Sequence, residues 1–421
     1  MEPIDLATTL YPIHRSLTGN GVRETLKIIK SYVDDLKCKQ YKSGERCFDW
    51  TIPGEWNINE AWIKNSSGEK IIDLKDNNLH VIGYSTQIRG QISRDELLEN
   101  IFTLEKQPTA IPYITSYYKK RWGFCMAHNQ MKKLNDKFYD VLIDSSLNEN
   151  GVLNYGEIIL KGRSRKEILL STYICHPSMA NNEVSGPVVA TFIAEWLKNK
   201  SDRKYTYRIL FLPETIGAIA YISHNLNKLK KNVIGGFVLT CIGDERNYSY
   251  LPSKNGNTLS DKAAKISLES IDKHYKSYTW NDRGSDERQY CAQGVELPIC
   301  SIMRTKYGEY PEYHTSMDNF DVVTNKGLQG GINAVKGAIE VIETNYIPKC
   351  SIICEPQLSK RGLYPTLSDK DTQKEVENLL NVISYIDGKR DVIDIAMKSK
   401  ITYQQAIEIV ERLRLHKIVY K

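Results

Sequence analysis

The sequence lacks the marks of a secreted or membrane-bound protein. Its nine cysteines are scattered, and no CxxC pair occurs among them, whereas a disulfide framework favours an even number at tight spacings. No run reaches the roughly 18 apolar residues that a membrane span needs. The first residues show no basic segment followed by a long apolar one, as a signal peptide would. We therefore expect free thiols, a cytoplasmic location and no contact with a membrane.

A strong charge of one sign is lacking as well. The 421 residues include 57 Lys and Arg against 51 Asp and Glu, so the formal net charge is only +6. A charge this small, spread along the chain, does not by itself indicate a nucleic acid partner. The hydrophobic fraction of 41% is sufficient for well-formed cores, and the length suits two or three domains.

From about residue 156 the sequence alternates between strand and helix patterns. Short apolar runs predict strands over 157–161, 167–174, 208–212, 233–239 and 297–303. Apolar residues at three- and four-residue steps predict helices over 187–198, 217–224, 260–274 and 326–343. This alternation is typical of an α/β protein with a mostly parallel sheet flanked by helices.

Two other regions interrupt or follow this pattern. Residues 42–149 contain short alternating runs, Gly-containing turns and interrupting prolines, which predicts an inserted, mainly β domain. The α/β core is then formed by residues 1–41 and 150–347. Residues 348–368 contain three prolines and predict a linker, and residues 369–421 predict three helices and a short strand, the size of a winged-helix domain.

Histidine is scarce, with eight residues, and most histidines in proteins are structural. His176 and His314, however, each follow a predicted strand in a polar stretch, and the carboxyl ends of parallel strands are where ligands bind. Two neutral imidazoles with a carboxylate form a typical zinc site. Glu214 also follows a strand; it is a candidate general base or simply an acid favoured at a helix N-terminus.

Motifs in a fixed order strengthen this interpretation. His176 is followed by ANNEVSG at 180–186, Glu214-Thr215, TCIG at 240–243, Ser285-Asp286 and YHTSMD at 313–318. In order and context these residues resemble the zinc aminopeptidase fold, the family of bacterial leucyl aminopeptidase and of glutaminyl cyclases. The resemblance covers about residues 150–345 and implies a zinc-exopeptidase-like core.

A second resemblance extends over the whole chain. The stretches 15–26, 111–118, 122–125 and 175–178 are similar to an aminopeptidase-like family of poorly known function that is associated with polysaccharide biosynthesis. Members of that family carry a β insertion and a C-terminal winged-helix domain, which agrees with the division above.

The sequence departs from the family's two-zinc pattern at three ligand positions. Asn182, Thr215 and Thr240 stand where the pattern has carboxylates, and a neutral Asn cannot offset the repulsion between two close divalent ions. We expect one zinc ion, held by His176, His314 and one acid, with Glu183 the first choice and Asp244 the second. The resemblance implies that Glu214 is the general base. The remaining candidates, expected to bind a polar or charged substrate, are Asn182, Arg283, Asp286, Arg288 and Tyr313.

These residues predict a metal-dependent aminopeptidase-type hydrolase of an amide or peptide-like substrate, and the second resemblance implies a connection with cell-surface polysaccharide metabolism. The alternative is a retired peptidase scaffold that acts as a binding or regulatory protein. Residues 370–421 contain ten Lys and Arg and eight Asp and Glu, a net +2. Because DNA-binding modules usually have a clear basic face, we expect this domain to contact a protein partner or a second copy rather than DNA.

Overall fold

The protein is described here by a computed structural model of residues 2–117, 119–363 and 370–421. The chain divides into two compact units, Met1–Gly337 and Ala338–Lys421. Residues 364–369, which belong to the predicted linker and the start of the predicted C-terminal domain, lie outside the described residues. The predicted domain limits therefore stay a prediction.

An eight-stranded sheet forms the centre of the first unit, within the described part of the chain. In spatial order its strands are Lys37–Lys42, Val152–Leu160, Thr206–Leu212, Glu167–Tyr173, Val233–Leu239, Ile299–Met303, Ser249–Leu251 and Lys276–Ser277. The four strands from Thr206–Leu212 to Ile299–Met303 run parallel. Nearly all of their residues are buried, as expected for parallel strands covered on both faces.

Helices flank this sheet and confirm the predicted fold class. They span Pro3–Leu10, Asn20–Tyr32, Ser185–Asn199, Ile216–Asn232, Leu259–Ile271, Glu287–Tyr290 and Asn325–Thr344. Within the predicted core segment 1–41, residues 37–41 belong to the strand Lys37–Lys42, which pairs with Val152–Leu160 as an antiparallel edge strand.

A mainly β region is inserted in the chain between the strands Lys37–Lys42 and Val152–Leu160 of the main sheet. Four antiparallel strands, Lys70–Asp73, Glu55–Lys64, Phe138–Asn148 and Ile88–Ser93, form its largest sheet. Two small pairs, Arg46–Cys47 with Trp50–Thr51 and Ile101–Phe102 with Phe124–Cys125, lie beside it. Its short helices are Asn78–His80, Arg94–Glu99 and His128–Met131.

The second unit has the elements of a winged helix. Its helices are Lys370–Tyr385, Val392–Ser399 and Tyr403–Leu415, and Lys349–Cys350 pairs with Val419–Tyr420. Side chains of Asp391 and Thr402 accept hydrogen bonds from the first turns of the second and third helices, which explains where these helices begin. Among the helices of the described residues, none is long and apolar enough to cross a membrane.

A buried ion cluster links three neighbouring strands of the main sheet, Val152–Leu160, Thr206–Leu212 and Glu167–Tyr173. Arg208 donates to Glu157 Oε1 at 2.5 Å and to both oxygens of Glu167 at 2.6 and 3.0 Å. All three side chains are almost inaccessible to solvent. Because a buried charge without its partner is costly, Glu167 depends on this guanidinium, whereas Glu157 is also bonded by Lys39 and by the Tyr221 hydroxyl.

We expect Arg208→Met to lower the free energy of unfolding by about 3–5 kcal/mol, because it leaves the buried Glu167 carboxylate without its cation and removes one of the partners of Glu157. Urea denaturation followed by circular dichroism measures this change. The control is Arg163→Met, since Arg163 pairs with Asp202 at the surface and its loss should leave the denaturation midpoint unchanged. Equal midpoints for both variants would contradict the assigned role of Arg208.

Candidate functional site

The loop after Glu167–Tyr173 is the centre of the candidate site. It contains Cys175 and His176, continues into a single π-helical turn over Ala180–Val184, and enters the helix Ser185–Asn199. Gly186 is required here, because a Cβ atom would lie 2.4 Å from the Leu239 carbonyl oxygen. This close approach holds the turn against the end of the neighbouring strand, and π-turns of this kind are frequent at functional sites.

His176 is oriented by Glu183. Its Nδ1 lies 2.7 Å from Glu183 Oε2, and both side chains are buried. Burial opposes the charged imidazole, but the Glu183 carboxylate outweighs it and raises the pKa of His176. Arg15, also buried, donates to the His176 carbonyl oxygen at 3.1 Å and approaches Glu183 Oε1 to 3.9 Å. The three residues form one hydrogen-bonded and charged group.

The other ring nitrogen of His176 faces Glu214. His176 Nε2 lies 3.6 Å from Glu214 Oε2, and the Glu214 side chain is 23% exposed. Burial raises the pKa of Glu214 although the nearby His176 and Arg288 act against it. Asp286 lies behind, accepts a hydrogen bond from the Thr215 N–H at 2.8 Å, and its pKa is raised by burial and by the charge of Glu214. A carboxyl with a raised pKa beside an imidazole is suited to proton transfer.

His314 is brought to the same place by the inserted β region. Pro112 and Thr315 form an isolated antiparallel bridge, and the Tyr113 N–H donates to the His314 carbonyl oxygen at 2.9 Å. The Tyr113 ring lies 5.0 Å from the ring of His176 and 5.2 Å from that of His314. Burial and the neighbouring His176 lower the pKa of His314 to about 3, so His314 is neutral, as a metal ligand must be. Tyr113 was missed from the sequence because no pattern relates it to a loop 200 residues away.

The three neutral residues at the family's ligand positions have protein partners. Asn182 Nδ2 donates to the Tyr173 hydroxyl at 3.0 Å, and this hydroxyl lies 2.5 Å from Thr240 Oγ1. Thr240 Oγ1 in turn donates to the Asn182 carbonyl oxygen at 3.0 Å. Thr215 Oγ1 accepts a hydrogen bond from Arg288 at 3.2 Å. A closed ring of hydrogen bonds thus connects Asn182, Tyr173 and Thr240 without any carboxylate.

Two aspartates support the loop instead of facing a ligand. Asp244 accepts hydrogen bonds from Asn181 Nδ2, from the N–H and hydroxyl of Thr305, and from the Arg246 N–H at 2.7–3.0 Å. Both oxygens of Asp244 are bonded to protein groups in this way, and its selection as the second choice of metal ligand stays a prediction. Asp318 accepts from the N–H groups of Asn181 and Asn182 at 2.7 and 2.9 Å. It orients the π-helical turn, a role that the sequence did not indicate.

A cavity of about 370 Å³ opens beside these residues. Its lining includes His176, Glu214, Thr215, Arg288, Tyr113 and Tyr117. Of the predicted substrate-binding residues, Arg288 therefore lies at this cavity. Tyr313 stacks on His314 at 3.9 Å, and Asn182 and Asp286 are buried. Arg283 is exposed, lies over the Trp280 ring and is not among the lining residues.

Strained backbone marks the same edge of the sheet. Each of the four parallel strands is followed by a non-glycine residue in the left-handed region: Ser178 (φ 38°), Thr215 (φ 62°), Cys241 (φ 47°) and His314 (φ 57°). Such conformations cost of order 1–3 kcal/mol each and cluster at functional sites. The four strand-end loops thus share the feature expected of a ligand-binding edge.

Side chains that could hold a metal ion come together at one place on this edge. Among the residues that the structure describes, Cys175, His176 and Glu183 are the one trio of His, Cys, Asp or Glu with ligand atoms within 4.8 Å of each other. Nδ1 of His176 is already bonded to Glu183, which leaves Nε2 as the nitrogen toward Glu214 and the cavity. Metal-binding histidines usually bond a carboxylate through the other nitrogen in this way. Buried Asn182 Oδ1 has no hydrogen-bond partner within the described chain, so it is a further oxygen donor.

Comparisons with known proteins agree with the architecture. A family described as "Domain of unknown function (DUF4910)" matches residues 4–345, and a winged helix-turn-helix family matches residues 346–421. The chain is 42% identical, over 99% of its own length and 96% of the other's, to a Clostridium acetobutylicum protein named as a candidate polysaccharide biosynthesis protein with an aminopeptidase-like domain.

Solved structures show the same fold. A candidate peptidase from Clostridium acetobutylicum is 40% identical, with a TM-score of 0.92 over 99% of this chain and 95% of that one. A zinc aminopeptidase from Bacillus subtilis is 14% identical, with a TM-score of 0.57 over 80% of this chain and 94% of that one. The second likeness extends to the fold alone, and it confirms the predicted zinc aminopeptidase-like fold.

The two site histidines should titrate differently. The pKa of His314 is about 3, against 6.5 for an ordinary histidine. Between pH 6.5 and 3, His314 therefore binds a proton in the unfolded chain but stays neutral in the folded one. His314 therefore reduces stability as the pH falls from 6.5 toward 3. His176, with its raised pKa, stabilises the fold fully below 6.5 and loses this contribution as the pH rises through its folded pKa.

Nuclear magnetic resonance of the imidazole protons measures both titrations, with His314→Gln and His176→Gln assigning the signals. We expect no change at His314 between pH 5 and 8, and a titration at His176 with a midpoint above 6.5. A His314 midpoint near 6.5 would show that its ring is not buried against His176.

Proposed function

The chain belongs to the family described as a domain of unknown function (DUF4910), and we propose that it is an aminopeptidase-type hydrolase that cleaves an amide or peptide-like bond with one bound metal ion. The observation that carries this proposal is the line of contacts from Glu183 through His176 to Glu214 at the wall of the 370 Å³ cavity. It combines an oriented imidazole, a carboxyl with a raised pKa and space for a small substrate.

Each residue of this line has a distinct role in the proposal. Glu183 holds the proton on His176 Nδ1 and thereby turns Nε2 toward the cavity. Glu214 Oε2 accepts a proton from the water that attacks the carbonyl carbon, and returns it to the amine that leaves when the C–N bond breaks. Arg288, which also lines the cavity, binds a carboxylate or carbonyl oxygen of the substrate.

The metal ion is proposed to be zinc, held by His176 through Nε2 and by His314, with Asn182 Oδ1 as an oxygen donor. Zinc supplies an activated water and polarises the scissile carbonyl. Glu183 then acts behind His176 rather than as a ligand, because its Oε2 already bonds Nδ1. Cys175 is not needed as a ligand: burial raises the pKa of its thiol well above the ordinary value, and Sγ accepts the Glu214 N–H at 3.2 Å.

Variants test the ligand set and the base together. Zinc content by inductively coupled plasma mass spectrometry should be one equivalent in the wild type, in Cys175→Ser and in Glu214→Gln, and should fall well below one in His176→Ala and His314→Ala. Hydrolysis of a panel of aminoacyl p-nitroanilides should fall about a hundredfold or more in Glu214→Gln, because the general base is lost.

The matched control is His224→Ala, since His224 is a half-exposed histidine that pairs with Glu45; it should keep both zinc and activity. Loss of zinc in Cys175→Ser but not in His314→Ala would move the ion to Cys175, His176 and Glu183. Full activity of Glu214→Gln would exclude the proposed base.

One observation favours a second function. The ring of hydrogen bonds between Asn182, Tyr173 and Thr240 satisfies the groups that stand at the family's metal positions. A site satisfied in this way could bind a polar ligand without metal, on a retired peptidase scaffold that acts as a binding or regulatory protein. Wild-type zinc content far below one equivalent after soaking would select this function, because a catalytic site normally holds its zinc through three protein ligands.

The setting of the activity is also part of the proposal. All nine cysteines are free, which is typical of a reducing compartment such as the cytoplasm. The name of the Clostridium acetobutylicum relative supports a connection with polysaccharide metabolism. The proposed substrate is therefore a small amide-containing molecule of that metabolism.

The winged-helix unit is proposed to contact a protein or a second copy of the chain. In its third helix, Tyr403–Leu415, Arg414 is paired with Glu411 at 2.6 Å, and Glu411 also accepts from the Tyr346 hydroxyl. Basic residues that are already paired with acids on the same helix provide little attraction for phosphates.

We expect the full-length protein not to retard duplex DNA of random sequence in an electrophoretic mobility assay at low salt, where electrostatic binding would be strongest. Analytical ultracentrifugation of the wild type and of a chain that ends before residue 346 compares the self-association of the protein with and without the winged-helix unit. A salt-sensitive DNA shift that depends on Arg412 and Arg414 would contradict the proposal.

A further inference from the structure

A second and larger cavity, of about 1160 Å³, lies in the inserted β region. Its lining includes Trp50, Trp56, Tyr84, Tyr117, Gln87 and Ser146. This volume exceeds the roughly 300–1000 Å³ typical of small-molecule sites. The cavity, which we call the insertion groove, does not include His176 or Glu214 in its lining and has room for an extended ligand.

The aromatic wall of the insertion groove is rigidly built. The rings of Trp56 and Tyr84 are stacked at 5.8 Å, and Tyr84 meets Tyr117 edge-on at 5.0 Å. Trp56 Nε1 donates a hydrogen bond to the Ser85 carbonyl oxygen at 2.9 Å. The Tyr84 hydroxyl donates to the Gly54 carbonyl oxygen, also at 2.9 Å. Trp50, by contrast, is an exposed large aromatic residue on the hairpin strand Trp50–Thr51. Its indole gives the groove a flat apolar surface that solvent reaches.

Polar side chains without internal partners surround this surface. Within the described part of the chain, the side chains of Thr51, Thr86, Gln87 and Ser146 make no side-chain hydrogen bond, and all four line the groove. The charged residues in the lining are Asp49, Lys120 and Glu149, so neither sign dominates. Unpaired hydroxyl and amide groups with little net charge suit a neutral ligand that has many hydroxyls of its own.

The insertion groove is adjacent to the candidate active site. Trp50 and Tyr117 line both this groove and the 370 Å³ cavity that contains His176 and Glu214. A ligand chain that passes these two residues would place one end beside Glu214. The inserted region therefore offers binding area for the part of a substrate that does not react, which is where specificity can be gained.

We infer that the insertion groove binds a neutral oligosaccharide, so that the substrate carries its amide on a saccharide chain. A sugar ring presents an apolar face that stacks on an aromatic side chain and a rim of hydroxyls that need hydrogen-bond partners, and the groove supplies both. The inference rests on the proposed hydrolase function for the reaction at Glu214, whereas binding in the groove needs neither metal nor turnover.

Isothermal titration calorimetry on the metal-free full-length protein tests the inference with chitotriose, maltotriose and trialanine as probes. We expect saturable binding of at least one of the two saccharides and none of trialanine. Trp50→Ala should weaken saccharide binding about tenfold, because an aromatic anchor contributes on that order. Trp62→Ala is the matched control: Trp62 is a partly buried tryptophan of the same inserted region outside the groove lining, and its replacement should leave the affinity unchanged.

Two results would overturn the inference: no saccharide binding up to millimolar concentration, or trialanine binding that is lost in Trp50→Ala. The proposed hydrolase fails separately, if the Glu214→Gln protein keeps full activity. If the protein binds saccharide through Trp50 but holds no zinc and shows no turnover, the insertion groove remains a saccharide site. Only the proposed hydrolysis is then rejected.

Discussion

The hydrogen bond between Glu183 and His176 Nδ1 is the contact on which the candidate site depends. It is 2.7 Å long, is buried on both sides and fixes which nitrogen of the imidazole faces the cavity. Consecutive residues of a helical turn point in different directions, so a carboxylate at 183 instead of 182 meets the back of the imidazole. The carboxylate at 183 therefore differs from one at 182 in its role as well as in its position: Glu183 orients His176, whereas the family's pattern has a metal ligand where Asn182 stands.

Arg15 explains how this carboxylate can be buried. A buried anion needs a partner, and Arg15 provides a cation at 3.9 Å while it also holds the His176 backbone through a 3.1 Å hydrogen bond. The residue comes from the first segment of the chain, before the inserted region begins. The N-terminal helices thus belong to the architecture of the site, and not only to the cover of the sheet.

Much of this could be predicted from the sequence, and the remainder follows from long-range contacts. The apolar runs of the four central strands and the polar residues after each strand gave the fold class and brought His176, Glu214 and His314 to one edge. The roles of Arg15 and Tyr113 could not be read in this way, because each contacts His176 across the fold and no local pattern records such a contact. Asp244 was selected for its place after a strand, but its four hydrogen bonds depend on a turn whose geometry the sequence does not encode locally.

The chain differs from a two-metal enzyme in electrostatics more than in shape. Two close divalent ions need several carboxylates between and around them, whereas here Asn182 and Thr240, which stand at two of those positions, bond to each other and to the Tyr173 hydroxyl. The acids that remain, Glu183 and Glu214, lie on opposite sides of one imidazole, and each has an arginine nearby. The loss of carboxylates at the family's ligand positions and the retention of both histidines are therefore consistent with the proposal of a single bound ion.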